Sequence, residues 1–409
     1  MNKSSFLRTL LTSSIVLSSA CVSSASFADT FPVTVTDVAG RTITIEQQPQ
    51  HVALSTGRVF PLLEIIYQQE AVDHLVAWRD DMRLSAPSMY ASYIKDYPEL
   101  ADVLKIGKIK SGEFDAERFI NMENKPDVFV VDISNIALAR EKGLLEKLDT
   151  AGIKVIAIDF REDPIKNTVQ SVTSLAKALG REAQGEAFAD YYQQHVTALA
   201  QAVEKLPESE ANKKVFIERA AGYDGSCCQT FATGNMGAYV PFLKATNIAD
   251  KPLKGAITGK MSPESVIAAR PDVYIMQTTG WIDKQGNPTA GIPLGYATAP
   301  NASINDAAIA KATQSLMDRT WLKAVNGYQS KDVYSIYMPF YNSPYNLVAM
   351  EYFAKWIHPE QFADLDPEKT FEEMNQRFAN RQASGVFGQN NFDAMAQEAP
   401  KKMTERVAQ

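Results

Sequence analysis

Residues 182–205 read EAQGEAFADYYQQHVTALAQAVEK, and this stretch decides the predicted fold. It contains no proline and a single glycine, Gly185, near its start, and Pro207 follows its end. The pattern predicts one uninterrupted helix, because proline stops a helix and the interior residues are compatible with one. At about 1.5 Å per residue the helix would be roughly 36 Å long. Such a helix is typical of a strut between two halves of a protein; the alternative is an ordinary long helix packed on one sheet.

Strand and helix patterns alternate on both sides of this helix, which favours parallel sheets covered by helices. We therefore predict an α/β fold of two lobes with mainly parallel sheets, joined by one long rigid helix. The N-terminal lobe is expected at 29–181, the connecting helix at 182–206 and the C-terminal lobe at 207–409. The predicted strands are 51–54, 72–78, 127–132, 154–159, 214–219, 272–277 and 332–338.

A weak internal repeat supports two similar lobes. Glu117 opens a short helix that leads to Pro126-Asp127 and a strand, and Glu264 opens one that leads to Pro271-Asp272 and a strand. A carboxylate favours a helix N-terminus, and proline stops the helix before a β-branched and aromatic run. The two spacings differ, so the repeat is imperfect.

The N-terminus has the order of an export signal. Residues 1–28 contain Lys3 and Arg8 and no acidic residue, then an apolar stretch, then Ser26-Phe27-Ala28. This order predicts a signal peptide of residues 1–28 cleaved before Asp29, and its apolar stretch is too short to span a bilayer. A lipoprotein signal at Cys21 is the less favoured alternative, because Ser18 stands where a large aliphatic residue is usual.

Composition and charge exclude some classes of protein. The chain is 45% hydrophobic, enough for a sizeable core, and no later segment is long and apolar enough to cross a membrane. The formal net charge is −7 and becomes more negative without Lys3 and Arg8. This balance argues against nucleic acid as a partner, although a local basic cluster can still hold a small anion.

Motifs for catalysis and metal binding are missing from the sequence. It has no G-x-S-x-G turn, Walker loop or metalloprotease helix. The histidines are scattered, without a pair at helical spacing or a cluster with cysteine. We therefore predict neither an enzyme nor a metal site, and a secreted hydrolase is the less favoured alternative. The histidines are His51, His74, His195 and His358.

Several segments together resemble one family of proteins. They include 35–43 (VTDVAGRTI), 321–325 (WLKAV), 340–344 (FYNSP) and 354–359 (AKWIHP), besides the two Glu-to-Pro-Asp segments. In this order they resemble the periplasmic binding proteins for ferric siderophores, haem and cobalamin. The resemblance implies a monomer in the periplasm, without a resident cofactor, that delivers a small-molecule iron complex to ABC transporter permease subunits. A Fe(III)–siderophore complex is the expected ligand; haem, cobalamin or an oxyanion are the alternatives.

The ligand of such a protein is expected between the lobes, on loops that follow strand ends. Arginine suits catecholate, hydroxamate or carboxylate oxygens, and aromatic rings cover the organic part of a ligand. For any one of these cations a solvated surface position is the alternative. Tyr223 or Tyr341 could instead be an axial haem ligand. The candidates are Arg58, Arg79, Arg83, Lys108, Arg219, Tyr223, Trp281, Tyr341 and Tyr345.

The resemblance also implies a docking role for two surface carboxylates. In that family one glutamate on each lobe pairs with arginine on the membrane subunits, and Glu117 and Glu264 hold the matching positions. Glu113 is an alternative to Glu117. The other interpretation is that each carboxylate only favours its helix N-terminus.

Cys227 and Cys228 are adjacent and are the only cysteines beyond the signal peptide. In an oxidising compartment they can form a vicinal disulfide that stiffens the 222–233 loop. The alternative is a pair of buried free thiols.

Overall fold

The computed structural model describes residues 31–223, 227–283, 285–297 and 306–396. The predicted signal peptide, its cleavage point before Asp29 and the alternative lipid site at Cys21 lie outside the described residues.

The first half of the chain forms a five-stranded sheet in which every strand pair is parallel. An antiparallel hairpin, β1 (Val33–Thr36) and β2 (Thr42–Ile45), precedes it. The strand order is β5-β4-β3-β6-β7. The strands are β3 (Val52–Leu54), β4 (Leu75–Trp78), β5 (Leu104–Lys105), β6 (Val128–Asp132) and β7 (Lys154–Ile158). The helices are α1 (Phe60–Tyr67), α2 (Ala71–His74), α3 (Asp81–Ser85), α4 (Pro87–Asp96), α5 (Ala116–Ile120), α6 (Ile136–Glu141), α7 (Leu144–Thr150) and α8 (Pro164–Ala178).

The long helix α9 spans Glu182–Glu204 and connects the two sheets. It packs side by side with α8, and Gly185 allows the close approach, because a Cβ there would lie 2.4 Å from the Cβ of Ala176. The turn between the two helices is made by Gly180 at φ +69°. The continuous helix predicted from the sequence is therefore present.

The second half of the chain forms a mixed sheet of order β11-β9-β8-β12-β14-β16, with β10 paired to β8. The strands are β8 (Lys214–Glu218), β9 (Gln229–Phe231), β10 (Thr246–Asn247), β11 (Thr258–Lys260), β12 (Val273–Thr278), β14 (Val333–Tyr337) and β16 (Gly388–Asn390), and the separate pair β13 (Gly295–Tyr296) and β15 (Gly385–Val386) is antiparallel. The helices are α10 (Tyr239–Phe242), α11 (Asp250–Leu253), α12 (Pro263–Ala269), α13 (Asp306–Met317), α14 (Asn326–Gln329), α15 (Asn346–Ile357), α16 (Pro367–Phe378) and α17 (Asn391–Ala396).

The two-lobed α/β fold predicted from the sequence is confirmed, with one difference in the second sheet. Its centre, β8-β12-β14, is parallel, but β9, β11 and β16 pair antiparallel with their neighbours. Antiparallel neighbours need only short connections, and these short strands gave no clear alternation in the sequence. Among the described residues no helix combines the length and apolar character needed to cross a bilayer.

Candidate ligand-binding cleft

The carboxyl ends of the parallel strands in both lobes carry the charged and aromatic candidates. Arg58 follows β3 and Arg161 follows β7 in the first lobe. Arg219 follows β8 and Tyr341 follows β14 in the second lobe. Because side chains at the carboxyl ends of parallel strands share one sheet edge, each lobe presents its candidates together.

A direct hydrogen bond joins the two edges. Arg58 Nη1 donates to Tyr341 Oη over 2.7 Å. Both side chains are nearly buried, at 7% and 8% exposure. The contact links residues 283 positions apart in the chain, so it brings the two lobes together at the base of the cleft.

Asp81, at the start of α3, holds Arg58 in place. Its Oδ2 lies 2.7 Å from Arg58 Nε, and its Oδ1 accepts a 2.6 Å hydrogen bond from the backbone N–H of Gly57. A Cβ at position 57 would lie 2.3 Å from the backbone oxygen of Arg79, so only glycine fits this turn. Asp81 is itself buried, and a buried carboxylate paired with arginine is the expected arrangement.

Arg161 lies over the Tyr341 ring, and Arg219 interacts with Tyr341 electrostatically. The guanidinium carbon of Arg161 lies 5.4 Å from the centre of the Tyr341 ring, and that of Arg58 lies 5.1 Å from it. Arg219 donates from Nη1 to Gln229 Oε1 over 2.6 Å. Arg161 and Arg219 are half-buried. We call Arg58, Asp81, Arg161, Arg219 and Tyr341 the cleft cluster.

Charges and burial within the cleft cluster shift the pKa values of Tyr341 and Arg219. Burial raises the pKa of Tyr341, but Arg58 and Arg161 outweigh burial, and the pKa lies below its ordinary value. Burial lowers the pKa of Arg219, and Arg161 and Arg58 lower it further, against the opposing effect of Tyr341. The shift of Tyr341 therefore has the sign expected beside positive charge, whereas the shift of Arg219 is due first to burial.

Asn235 holds two of these loops together. Its Nδ2 donates to the backbone oxygens of Arg161 and Tyr341, at 3.0 and 3.1 Å, and the residue is buried. Its backbone adopts φ +56°, a left-handed conformation that asparagine tolerates better than most residues. Sequence reasoning missed Asn235 and Arg161. The signal for Arg161 was available, because it follows β7 as Arg219 follows β8.

The other basic candidates of the first lobe pair with aspartates or lie exposed on loops. Arg79 reaches the cleft cluster through Asp81, with 3.7 Å between Arg79 Nη1 and Asp81 Oδ2. Arg83 is exposed and pairs with Asp80 over 2.9 Å. Lys108 is exposed on the loop after β5. Of the four basic residues predicted in the first lobe, only Arg58 contacts Tyr341 directly.

The aromatic candidates divide into two groups. Tyr223 is 56% exposed, and its ring centre lies 5.4 Å from that of the buried Trp281 in an edge-to-face arrangement. Tyr345 lies in the core, 5.5 Å from the ring of Phe371. The structure therefore brings Tyr341 into the cleft cluster and leaves Tyr345 outside it.

The predicted docking carboxylates lie on the surface at the starts of two short helices. Glu117, in the first turn of α5, forms an ion pair with Lys147. Glu264, in the first turn of α12, follows Ser262, whose hydroxyl accepts from the backbone N–H of Ser265. A hydrogen bond from the backbone N–H of Glu264 to its own carboxyl lowers the pKa of Glu264, and a hydrogen bond from the Ser262 side chain lowers it further.

Cys227 and Cys228 lie just before β9, and Cys228 directly precedes Gln229, the first residue of that strand. The structure joins the two cysteines through sulfur, and Cys228 is buried. The backbone oxygen of Cys228 accepts from the N–H of Met261. The pair therefore lies on the segment that carries the partner of Arg219.

Histidine side chains serve structural contacts in the described part of the chain. His358 Nε2 lies 2.6 Å from the backbone oxygen of Leu243, and His195 Nδ1 lies 2.8 Å from Glu351 Oε1. Within the described residues no three His, Cys, Asp or Glu side chains are grouped to hold a metal ion.

Two α/β lobes on a connecting helix, with cations from both lobes around one cleft, define a two-lobed solute-binding protein. The family model described as periplasmic binding protein matches residues 65–288, more than half of the chain. The chain belongs to the periplasmic binding protein family, whose members are solute-binding proteins that work with ABC permeases.

Solved structures agree on the fold. The TroA-like periplasmic binding protein FepB from Veillonella parvula is 22% identical, with a TM-score of 0.76 over 88% of this chain and 99% of that one. The molybdate-bound periplasmic protein MolA of Haemophilus influenzae is 16% identical, with a TM-score of 0.60 over 86% of this chain and 99% of that one. CeuE of Helicobacter pylori, in a nickel–histidine complex, is 13% identical, with a TM-score of 0.57 over 86% and 96%. A comparison with curated proteins finds no significant sequence match.

Proposed function

We propose that this protein captures a ferric siderophore between its two lobes and delivers it to an ABC importer. The supporting observation is the cleft cluster, in which Arg58 and Arg161 of the first lobe contact Tyr341 of the second, and Arg219 of the second lobe interacts with it electrostatically. Planar guanidinium groups suit the oxygen-rich surface of an iron complex. Arg58 donates to the Tyr341 oxygen, so the hydroxyl hydrogen of Tyr341 stays available to a ligand.

A ligand titration tests this proposal. The purified protein is titrated with ferric catecholate, hydroxamate and citrate complexes, and with haem and molybdate alongside, while intrinsic fluorescence is recorded. We expect submicromolar binding of at least one ferric siderophore and weaker binding of its iron-free form, because the iron complex is compact and anionic. Tight binding of haem or molybdate without any siderophore would overturn the assignment.

Docking to the importer is proposed to use Glu117 and Glu264. Two carboxylates on opposite lobes can report the spacing of the lobes and steer the encounter with a basic permease face. Both are exposed, so replacing them with alanine should leave the fold and the ligand affinity nearly unchanged while abolishing ligand-dependent transport. Glu113→Ala tests the alternative docking position, and the exposed Glu99→Ala is the matched control. Full uptake by the double variant at limiting ligand would refute the docking assignment.

Export and the cysteine pair complete the proposal. We propose a mature periplasmic chain that begins at Asp29, and the intact mass of the native protein distinguishes it from a form lipidated at Cys21. The Cys227–Cys228 pair is proposed to be a disulfide in the exported protein. Thiol titration under denaturing conditions should then find no free thiol, whereas two thiols would favour the reduced pair.

A further inference from the structure

The arginines of the cleft differ in how their charge is balanced. Arg58 and Arg79 both face Asp81, whose Oδ2 lies 2.7 Å from Arg58 Nε and 3.7 Å from Arg79 Nη1. These two cations therefore share one buried carboxylate. A charge paired in this way is partly neutralised before any ligand arrives.

Arg161 and Arg219 have no such partner. Within the described residues, neither guanidinium has a carboxylate at ion-pair distance. The side-chain contacts of Arg219 are the neutral Gln229 and the ring of Phe231, 5.9 Å from its guanidinium carbon. Both arginines are half-buried. Holding a partly desolvated cation without a counterion is unfavourable, so a negatively charged ligand would be favoured beside these two arginines.

Glu162, the half-buried carboxylate next in sequence to Arg161, is the neighbouring acidic group to consider. Burial raises its pKa, and the neighbouring Asp159 and Asp132 raise it further, against Lys110 and Arg161. Its backbone N–H donates to Asp159 Oδ1 over 2.6 Å, so the loop that carries it is fixed. Arg161 lowers the pKa of Glu162, so the two groups attract each other, but they form no ion pair among the described residues. An anionic ligand bound at Arg161 would be repelled by this carboxylate.

We infer that the cleft selects iron complexes carrying at least two negative charges, of the catecholate or α-hydroxycarboxylate class, over neutral or cationic hydroxamate complexes. This inference rests on the proposed function and narrows its ligand. Arg161 and Arg219 stand on opposite lobes and interact electrostatically, so one multiply charged complex bound between the lobes can neutralise both. A tris-hydroxamate complex, whose ligand charge is cancelled by Fe(III), offers no net charge for this purpose.

Gln229 is a positioning residue in this account. Its backbone oxygen accepts from the N–H of Arg219 over 2.7 Å, and its Oε1 accepts from Arg219 Nη1 over 2.6 Å. These two bonds direct the guanidinium without neutralising it. A neutral acceptor at this place keeps the positive charge available to a ligand, which an acidic residue would not.

The experiment is a competition among three ferric complexes of different charge. Ferric tris-catecholate, ferric citrate and a neutral ferric tris-hydroxamate are titrated into the wild-type protein, Arg161→Gln, Arg219→Gln and Arg219→Lys, at low and high salt. We expect the two anionic complexes to bind most tightly, with affinity falling as salt rises. Each Gln variant should lose roughly tenfold or more for the anionic complexes, while Arg219→Lys keeps the preference for anions.

The outcomes separate this inference from the proposal on which it rests. Binding of the tris-hydroxamate as tightly as the tris-catecholate would overturn the charge selection while leaving a siderophore-binding protein. Failure of every ferric complex to bind would overturn the proposed function. Gln229→Leu adds a test of position: it should weaken the anionic complexes but leave their salt dependence close to that of the wild type, since no charge is removed. Thermal unfolding of each variant checks that it folds.

Discussion

Two clusters of arginine, tyrosine and carboxylate, each with a buried centre, connect the two halves of this protein, and they differ in charge balance. The cleft cluster joins Arg58 to Tyr341. A second group, which we call the Arg381 cluster, consists of Glu64, Tyr93, Asp96, Tyr296 and Arg381. Arg381 and Asp96 are 285 positions apart in the chain, so this cluster also ties distant segments together.

The Arg381 cluster is closely matched in charge. Arg381 Nε lies 2.6 Å from Asp96 Oδ2 and 3.9 Å from Glu64 Oε1, and its guanidinium carbon lies 4.1 Å from the centre of the Tyr93 ring. Glu64 also accepts hydrogen bonds from Tyr93 and Tyr97, at 2.7 and 2.9 Å. Each charged group in it therefore has partners within the protein.

The difference between the clusters indicates which one serves a ligand. Where carboxylates pair with the arginine, as around Arg381, the cluster holds α1 and α4 of the first lobe against the C-terminal segment. Where arginines outnumber carboxylates, as around Tyr341, the protein maintains an incomplete site. An excess of positive charge around Tyr341 destabilises the ligand-free protein, and a negatively charged ligand that neutralises it would explain why the arginines are there.

Removing Arg381 should have the largest effect on the free energy of unfolding. Arg381→Met leaves Glu64 buried without its cation, and breaking a buried pair in this way costs about 3–5 kcal/mol. Urea unfolding followed by circular dichroism measures the loss. The matched control is the exposed Arg377→Met, four positions away, which should change stability by about 0.5 kcal/mol or less. Equal stability of the two variants would show that the Arg381 cluster does not hold the lobes.

Removing Arg219, which has no carboxylate partner among the described residues, should weaken ligand binding rather than the fold. Arg219→Ala is expected to weaken binding of the ferric siderophore by about 1–3 kcal/mol, the range for hydrogen bonds to charged groups. Isothermal titration calorimetry measures this change, and Arg83→Ala, which removes an exposed cation paired with Asp80, is the control. An unchanged affinity would remove Arg219 from the site.

The pH dependence of the free energy of unfolding tests the environment of Glu64 in the Arg381 cluster. Burial raises the pKa of Glu64 from 4.5 to about 7, although Arg381, Tyr93 and Tyr97 oppose the shift. The folded protein therefore binds the Glu64 proton more tightly than the unfolded chain does. This difference adds to the free energy of unfolding in full below pH 4.5, and the added stability is lost as the pH rises through about 7. Glu64→Gln should flatten the free energy of unfolding across that window relative to the exposed Glu99→Gln. An identical pH profile in both variants would contradict the shift.

The smallest expected effect is a gain of affinity. Glu162→Gln removes a negative charge from the rim of the cleft, beside Arg161. Affinity for an anionic complex should rise by about 0.2–1 kcal/mol, the range for exposed charge pairs. The same titration measures it, and a loss of affinity would mean that Glu162 helps to bind the ligand.

The sequence predicts the connecting helix and some residues of the cleft cluster, but not the Arg381 cluster. The long helix followed from an uninterrupted pattern between Arg181 and Pro207, and Arg219 followed from its place at a strand end. The same rule applied to Arg161, which directly follows Asp159-Phe160, and it was overlooked there. The pairing of Glu64 with Arg381 had no local signal, because it depends on how segments more than 300 residues apart in the chain pack together.

Tyr341 and Tyr345 illustrate the limit of sequence reasoning at the site itself. They are four positions apart in one segment and were predicted to share a role. The short helical turn Met338–Asn342 precedes an extended Ser343, so the chain changes direction between the two tyrosines. Tyr341 consequently points to Arg58 in the cleft cluster, whereas Tyr345 packs on Phe371. Side-chain direction in irregular backbone does not follow from residue spacing.

The most direct test of the central claim is the stability of the ligand-free protein when both unmatched arginines are neutralised. The free energy of unfolding of the Arg161→Gln/Arg219→Gln double variant is measured by urea titration without ligand. If the positive surplus exists for a ligand, the double variant should be as stable as the wild type or more stable, because mutual repulsion is removed, and should no longer bind ferric tris-catecholate tightly. A loss of stability as large as that of Arg381→Met would contradict the account, because it would make the cleft arginines part of the structural framework.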